Sequence, residues 1–310
     1  MLLGITAWPQ NTTWASLMDA GVAADRAGLD MLFAWDHFYA IIGPQENPNF
    51  EVSQVLAGWG SRTERIRIGS LVHGITYRHP AVLANMTTAL DHLTNGRAIM
   101  GIGAGWMEPE HKAYGMPLGS KKERSDRFEE GARIVRSLLR ERTTTFSGKY
   151  YQVTDALNEP PPVQKELPVL IGGGGEQRTL RTTARYADMW HGFGSPDDLR
   201  HKTRILHRHC AEIGRDPKEI QTFGGGAVVV RDRIDDAHAY LDRIAAHQDM
   251  AKQVPRAIGD PDTVARQLLE YAKAGVDGFI IAAGEPFDIE TIERLGRDVK
   301  PRLDKLIAAA

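Results

Sequence analysis

Apolar positions along this chain fall into two rhythms, short runs of strand length and longer stretches that repeat every third or fourth residue. The clearest unit spans Ile66 to Trp106. Ile66, Ile68, Leu71 and Val72 form an apolar run, and Arg78-His79-Pro80 then opens a helix at a position where a missing N–H costs nothing. Val82, Leu83, Met86, Leu90 and Leu93 give that helix one buried stripe. Asn95-Gly96 stops it, since both residues tolerate the left-handed conformation of a helix end. Ala98 to Ile102 follows as a second strand and runs into Gly103-Ala104-Gly105-Trp106. A strand–helix–strand unit of this size joins parallel strands.

The same alternation recurs on both sides. Leu2 to Ala7 is a strand, and Thr12 or Thr13 caps the helix after it. Leu29 to Trp35 is a second strand, ending in Asp36-His37-Phe38. Past Trp106 the rhythm breaks. Residues 107–120 read as irregular, Lys121 to Arg142 as a long charged helix, and Phe146 to Val153 as a small hairpin. Strands resume at Leu167 to Ile171, Asp188 to Phe193, Ile220 to Val230 and Val276 to Ala282, each followed by a helix. Gln248 to Ile258 reads as a loop. Eight strand–helix units predict a (β/α)8 TIM barrel over residues 1–310, with an insertion after strand four at about 107–165 that is a candidate lid. A doubly wound sheet is the alternative.

Composition narrows the function more than the fold. With 310 residues, 42% hydrophobic, 25% charged and a net charge of −2, the chain carries no field that favours nucleic acid or an anionic membrane. Cys210 is the single cysteine, which rules out an internal disulfide and fits a reducing, cytoplasmic setting. The first residues lack the pattern of a signal peptide, and no apolar run reaches the length of a membrane span.

In a barrel the working residues sit at the C-terminal ends of strands. That rule selects Trp8, Asp36-His37, Leu71-Val72 with His73, Gly103 to Trp106, Gly172 to Gly175 and His191. The four glycines at 172–175 permit close approach of a ligand and feed a helix N-terminus that favours an anion. Arg178, Arg181 and Arg185 share a face of that helix and make it basic, so a phosphate is the sharp reading and a tight turn with a solvated face the plain one. Glu108, Glu110 and His111 read as a salt-bridged surface and not as metal ligands, and His201, His207 and His209 as a solvated helix face. No metal site is expected.

The segments LFAWDHFY (32–39), residues 62–106, PVLIGGGGEQRTLRTTARYADMW (168–190) and 199–217 together resemble the bacterial luciferase-like monooxygenase superfamily, and more narrowly its branch that uses the deazaflavin coenzyme F-420. The resemblance implies an α/β barrel with an extra segment. It implies that Asp36, His37, Leu71 and Val72 touch the deazaflavin ring, with a non-proline cis peptide at Leu71-Val72. Ala104, Gly105 and Trp106 would line the ring's edge, and Gly173, Gly174 and Gly175 the phosphate. Trp106 stands where glutamate serves as an acid in the sugar-phosphate dehydrogenase, and no cluster for a sugar phosphate is visible.

The expected chemistry is hydride transfer between the deazaflavin and a small organic substrate, with His37 exchanging the proton because imidazole titrates near neutrality. Trp8, Phe38, Tyr39, Tyr77 and Trp106 would form an aromatic substrate pocket. The rivals are an FMN-dependent monooxygenase, which needs a flavin reductase as partner, a non-catalytic flavin-binding barrel, and an unrelated phosphate-binding barrel enzyme. Dimers are common among family members, which leaves a homodimer open.

Overall fold

A strand buried on both faces must be apolar at every position, and a parallel barrel provides such strands with an inner layer of side chains and an outer layer under helices. A computed structural model gives the arrangement of residues 1–245 and 256–309. The strands are β1 (Leu2–Ala7), β2 (Met31–Ala34), β3 (Arg67–Ser70), β4 (His73–Gly74), β5 (Ala98–Gly103), β6 (Thr143–Ser147), β7 (Gln152–Leu157), β8 (Val169–Gly172), β9 (Met189–His191), β10 (Gln221–Val230), β11 (Arg256–Gly259) and β12 (Gly278–Ala283). Eight of them close a parallel ring in the order β1-β2-β3-β5-β8-β9-β10-β12, with β12 returning to β1. The expected TIM barrel is therefore the fold, and the doubly wound alternative is excluded by closure.

Between the strands run α1 (Trp14–Arg26), α2 (Val52–Gly60), α3 (Pro80–Leu93), α4 (Glu108–Ala113), α5 (Lys121–Arg140), α6 (Thr179–Tyr186), α7 (Pro196–Glu212), α8 (Ile234–Ala245), α9 (Pro261–Lys273), α10 (Ile289–Arg294) and α11 (Lys300–Ala308). Thr13 caps α1 by accepting from the Ser16 N–H, and Pro80 is the first residue of α3. Asn95 and Gly96 both take positive φ after α3, as the sequence implies.

Three readings change. Residues 107–120 contain the short helix α4, where no element was expected. The long helix α5 packs between α3 and α6 as the barrel's fourth outer helix, so the true additions are 107–120 and the β6–β7 hairpin with its flanks. Arg256–Gly259, read as loop, pairs with the outer half of β10, while residues 248–255 of that reading lie outside the described residues. Strand three is also interrupted. The Leu71–Val72 peptide is cis, and pairing resumes at β4. No helix among the described residues is long and apolar enough to cross a membrane.

Candidate active site

Period-two alternation fixes which residues face the barrel axis. Met31, Phe33, Ile99, Leu170, Met189, Phe223 and Ile280 pack together as a bulky inner layer. Two residues further along each strand the inward positions become Trp35, Gly101, Gly172, His191, Gly225 and Ala282. Large side chains thus floor the barrel, and above them three glycines and an alanine, beside Trp35 and His191, leave a cavity of about 600 Å³ at the C-terminal end.

Val72 shapes its wall. A Cβ on Gly103 would stand 2.6 Å from Val72 Cγ2, and one on Gly172 would stand 3.0 Å from Cγ1, so the valine occupies space the glycines vacate. Trp8 and Trp35 stack at 5.1 Å along another side, and Trp106 stands half out of the protein, 57% exposed, at the mouth. Leu71, Val72, Ala104, Gly105, Trp106, Gly173, Gly174 and Trp8 all line this cavity. No residue of 107–165 does, so the lid reading finds no wall here.

Three buried polar atoms on residues of the cavity wall lack a hydrogen-bond partner: Thr6 Oγ1, Trp35 Nε1 and His191 Nε2. Each such atom costs on the order of 1–3 kcal/mol unless a ligand completes it. Burial pushes the His191 imidazole down to about 4, which keeps it neutral. Trp35 was not singled out in the sequence, although counting two residues on from Phe33 finds it.

Asp36, His37, Phe38 and Tyr77 do not line the cavity. They form a polar layer behind it. The Asp36 carboxylate accepts from Arg78 Nη1 at 2.7 Å and the Gly74 N–H at 3.1 Å, and it meets His73 Nδ1 at 3.3 Å. Burial opposes its ionisation, yet His73 and Arg78 outweigh it and hold the carboxyl below the usual carboxylate range. Asp36 thereby anchors the segment just after Val72, and Arg78 reaches Glu51 with its other arm at 2.6 Å.

Glu110 is the residue the sequence reading placed wrongly. It is fully buried, not part of a surface, because its carboxylate gathers four donors. Oε1 accepts from the N–H groups of Phe38 at 2.7 Å and Tyr39 at 2.8 Å, and Oε2 accepts from His37 Nδ1 at 2.9 Å and from the Tyr77 hydroxyl. Burial opposes ionisation of Glu110, but these bonds prevail and lower its pKa; burial and the same carboxylate push the Tyr77 phenol up. With Nδ1 committed to Glu110, His37 keeps Nε2 for other work. Its ring lies edge-on to Trp106 at 5.3 Å and to Trp35 at 6.5 Å. His111 is buried too, held by the Met107 carbonyl and Thr76.

The turn after β8 opens a second depression beside the first, lined by Ser125, Gly174 to Thr179 and Lys202, and Gly175 belongs here. The basic face expected on α6 is partly neutralised, three arginines sharing two acids. Arg178 pairs with Asp126 at 2.7 Å, and Arg181 and Arg185 both pair with Glu129, all on α5. Lys202, from α7, binds Glu176 at 2.6 Å and the Gly174 carbonyl at 3.0 Å. His209, expected on a solvated face, is buried and bonds the Glu176 carbonyl at 2.8 Å. Among the described residues no cluster of acids, histidines or cysteine is placed to hold a metal.

Comparison with known proteins places this geometry in a family. An F-420-dependent glucose-6-phosphate dehydrogenase of Microbacterium testaceum is 34% identical over 94% of this chain and 94% of its own. An FMNH(2)-dependent dimethylsulfone monooxygenase of Pseudomonas fluorescens is 27% identical over 74% of this chain and 72% of its own. The solved coenzyme F-420-dependent tetrahydromethanopterin reductase of Methanopyrus kandleri superposes with a TM-score of 0.80 at 20% identity, covering 97% of this chain and 99% of that one, a likeness of fold. The family described as luciferase-like monooxygenase matches residues 2–257. The chain belongs to the luciferase-like monooxygenase family and is an enzyme of that superfamily.

Proposed function

We propose that the chain is an F-420-dependent oxidoreductase that moves a hydride between the deazaflavin and a small organic substrate. The observation that carries this reading is the apolar, tryptophan-walled cavity that runs without interruption into the Gly173–Gly174 turn. Such a shape suits a flat ring with an anionic tail. The residues fit the group in two ways. Thr6 Oγ1 and Trp35 Nε1 are buried and unpartnered on the wall, as a heteroaromatic ring edge requires, and the vacant Cβ positions at Gly103 and Gly172 let Val72 back a planar group. Bound coenzyme F-420 supplies two electrons as hydride and reacts poorly with oxygen.

The chain's own residues do the rest. Leu71, Val72, Ala104, Gly105 and Trp106 orient the ring, while Asp36, through Gly74 and Arg78, holds the backbone that carries Val72. Gly173, Gly174 and Gly175 take the phosphate together with Arg178 and Lys202, each of which already shares its charge with one acid. Glu110 fixes His37 in one tautomer and leaves Nε2 free beside Trp106, so that His37, one layer behind the wall, exchanges the proton through a water at the cavity mouth. Trp8 offers the substrate an aromatic wall, with Phe38 and Tyr77 as a second layer around His37.

Coenzyme F-420 is preferred over FMN because the F-420-dependent relative matches nearly the whole chain at higher identity. The FMN reading, with a flavin reductase as partner, is supported by the dimethylsulfone monooxygenase relative. Parallel fluorescence-quenching titrations with F-420 and FMN decide between them. Micromolar binding of F-420 with weak or no binding of FMN is expected; the reverse preference moves the chemistry to oxygen activation, and binding of neither overturns both.

A further inference from the structure

The same cavity extends from Val72 and the glycines past the C-terminal ends of β9 and β10 to α8, and this far side is its second lobe. His191, Phe193, Ala227, Val229, Leu241 and Ile281 line it. His191 follows Met189 of the bulky inner layer by two residues, so the alternation of β9 turns it inward. Its ring is 4% exposed and lies edge-on to Phe193 at 4.8 Å. Nε2 passes over Gly225, where a Cβ would stand only 2.5 Å away, so the glycine makes room for the imidazole. That nitrogen has no hydrogen-bond partner. The His191 imidazole lines the cavity, and a polar side chain without a partner there is a natural contact for what enters.

The lobe is otherwise short of charge. Among the described residues lining the cavity there is no lysine or arginine, and the lining carboxylate, Asp288, is gripped twice by Arg231 at 3.0 Å. A dianionic group would lose its hydration without gaining a cation. Among the described residues the lining therefore favours an uncharged group over a dianion.

We propose that His191 is the substrate anchor, its imidazole hydrogen-bonding one carbonyl or hydroxyl oxygen of an uncharged, largely apolar molecule held in this lobe. The inference rests on reading the cavity as a joint cofactor and substrate site, and it adds the substrate's class and the residue that selects it. His191 touches the substrate and takes no part in the hydride step.

The test uses full-length protein labelled with 15N-histidine, with and without F-420, and the His191 signal assigned by its loss in His191→Phe and His191→Gln. Cyclohexanone, cyclohexanol and glucose 6-phosphate are the probes. Both neutral probes are expected to move the His191 nitrogen signal, and glucose 6-phosphate to leave it unmoved. His191→Phe should weaken cyclohexanone binding about tenfold or more, whereas His191→Gln, which keeps a hydrogen-bonding group, should stay within about threefold. Both variants should bind F-420 within about threefold of the wild type, a readout that a merely structural role or a cofactor role would shift.

A His191 signal indifferent to both neutral probes overturns the proposal, as does glucose 6-phosphate binding as tightly as cyclohexanone. Loss of F-420 affinity in His191→Phe overturns it in favour of a cofactor contact. Failure of the wild type to bind F-420 at all sinks the cofactor reading instead, and the probe shifts on unloaded protein then still decide the role of His191.

Discussion

Replacing Glu110 by glutamine tests the polar layer behind the cavity most directly. The side chain is fully buried and its carboxylate accepts four hydrogen bonds. Glutamine placed with its oxygen at the Oε1 position still accepts from the Phe38 and Tyr39 N–H groups, but as a neutral acceptor. Each of those bonds then falls from charge-assisted to ordinary strength, a loss of about 1 kcal/mol apiece. The amide nitrogen meanwhile faces two donors, His37 Nδ1–H and the Tyr77 hydroxyl, and both must reorganise. His37 has to give up its Nδ1 proton and adopt the other tautomer, at a further cost of about 1 kcal/mol.

The total loss is about 3 kcal/mol at neutral pH, within the range for breaking a buried charged pair. The pH dependence has a definite sign. Glu110 has a folded pKa below its ordinary 4.5, so its stabilisation is fully present above that value and is lost as pH falls through the folded pKa. Urea unfolding of wild type and Glu110→Gln should therefore differ by about 3 kcal/mol at pH 7, and the gap should close well below pH 4.5. A variant within about 0.5 kcal/mol of wild type at pH 7 would refute the argument, and so would a gap that persists unchanged into acid. If Glu110 also sets the His37 tautomer, kcat in the variant should fall about tenfold with KM little changed.

Three further outcomes follow from the same geometry. His37→Ala should lower kcat about a hundredfold or more while F-420 affinity stays within a few-fold, measured by steady-state turnover alongside fluorescence titration; unchanged kcat would remove His37 from proton transfer. Gly103→Ala would set a Cβ 2.6 Å from Val72 Cγ2, so it should displace the Leu71–Val72 segment and weaken F-420 binding by about tenfold, with the far-UV circular dichroism retained. Cys210 is buried and its thiol is pushed up by burial, so native protein should react with an aromatic disulfide reagent far more slowly than urea-unfolded protein; fast native reaction would contradict that burial.

The barrel was legible because each of its strands carries its own punctuation. Leu2 to Ala7 begins and ends where the alternation does, and Ala98 to Ile102 misses its strand by one residue, Gly103, because Asn95-Gly96 marks the approach so clearly. Arg256–Gly259 was missed for the opposite reason. It is four residues long and pairs with the outer half of β10, and its buried positions, Ala257 and Gly259, are too small to announce a face. The cavity floor was legible in the same sense, since inward residues follow from counting by two along each strand.

What the sequence could not display were partnerships between distant segments. Arg178, Arg181 and Arg185 form a basic face when α6 is read alone, and their charge is largely offset only when Asp126 and Glu129 arrive from a helix about 50 residues earlier. Glu110 and His111 look like surface because a local pattern of alternating charges usually is. Their burial depends on the chain after β2 and the stretch after β4 closing over them, and those segments lie 33 to 73 residues away.

The same distant partnerships explain why Asp36 and His37 sit behind the wall instead of on it. A charged carboxylate directly against a cavity of this apolar character would need its own counterion there, at a desolvation cost the cavity could not repay. Moving the charge one layer back lets Asp36 keep Arg78 and the Gly74 N–H, and lets Glu110 keep four donors, while the wall is left to tryptophan, valine and glycine. Charge then acts on the cavity through geometry: Asp36 through the backbone that carries Val72, and Glu110 through the tautomer of His37. On the His191 side the charge is confined, among the described residues, to the Asp288–Arg231 pair, and an unpartnered imidazole stands on the wall. On the function proposed above, that asymmetry divides the barrel into a side that holds and protonates and a side that selects.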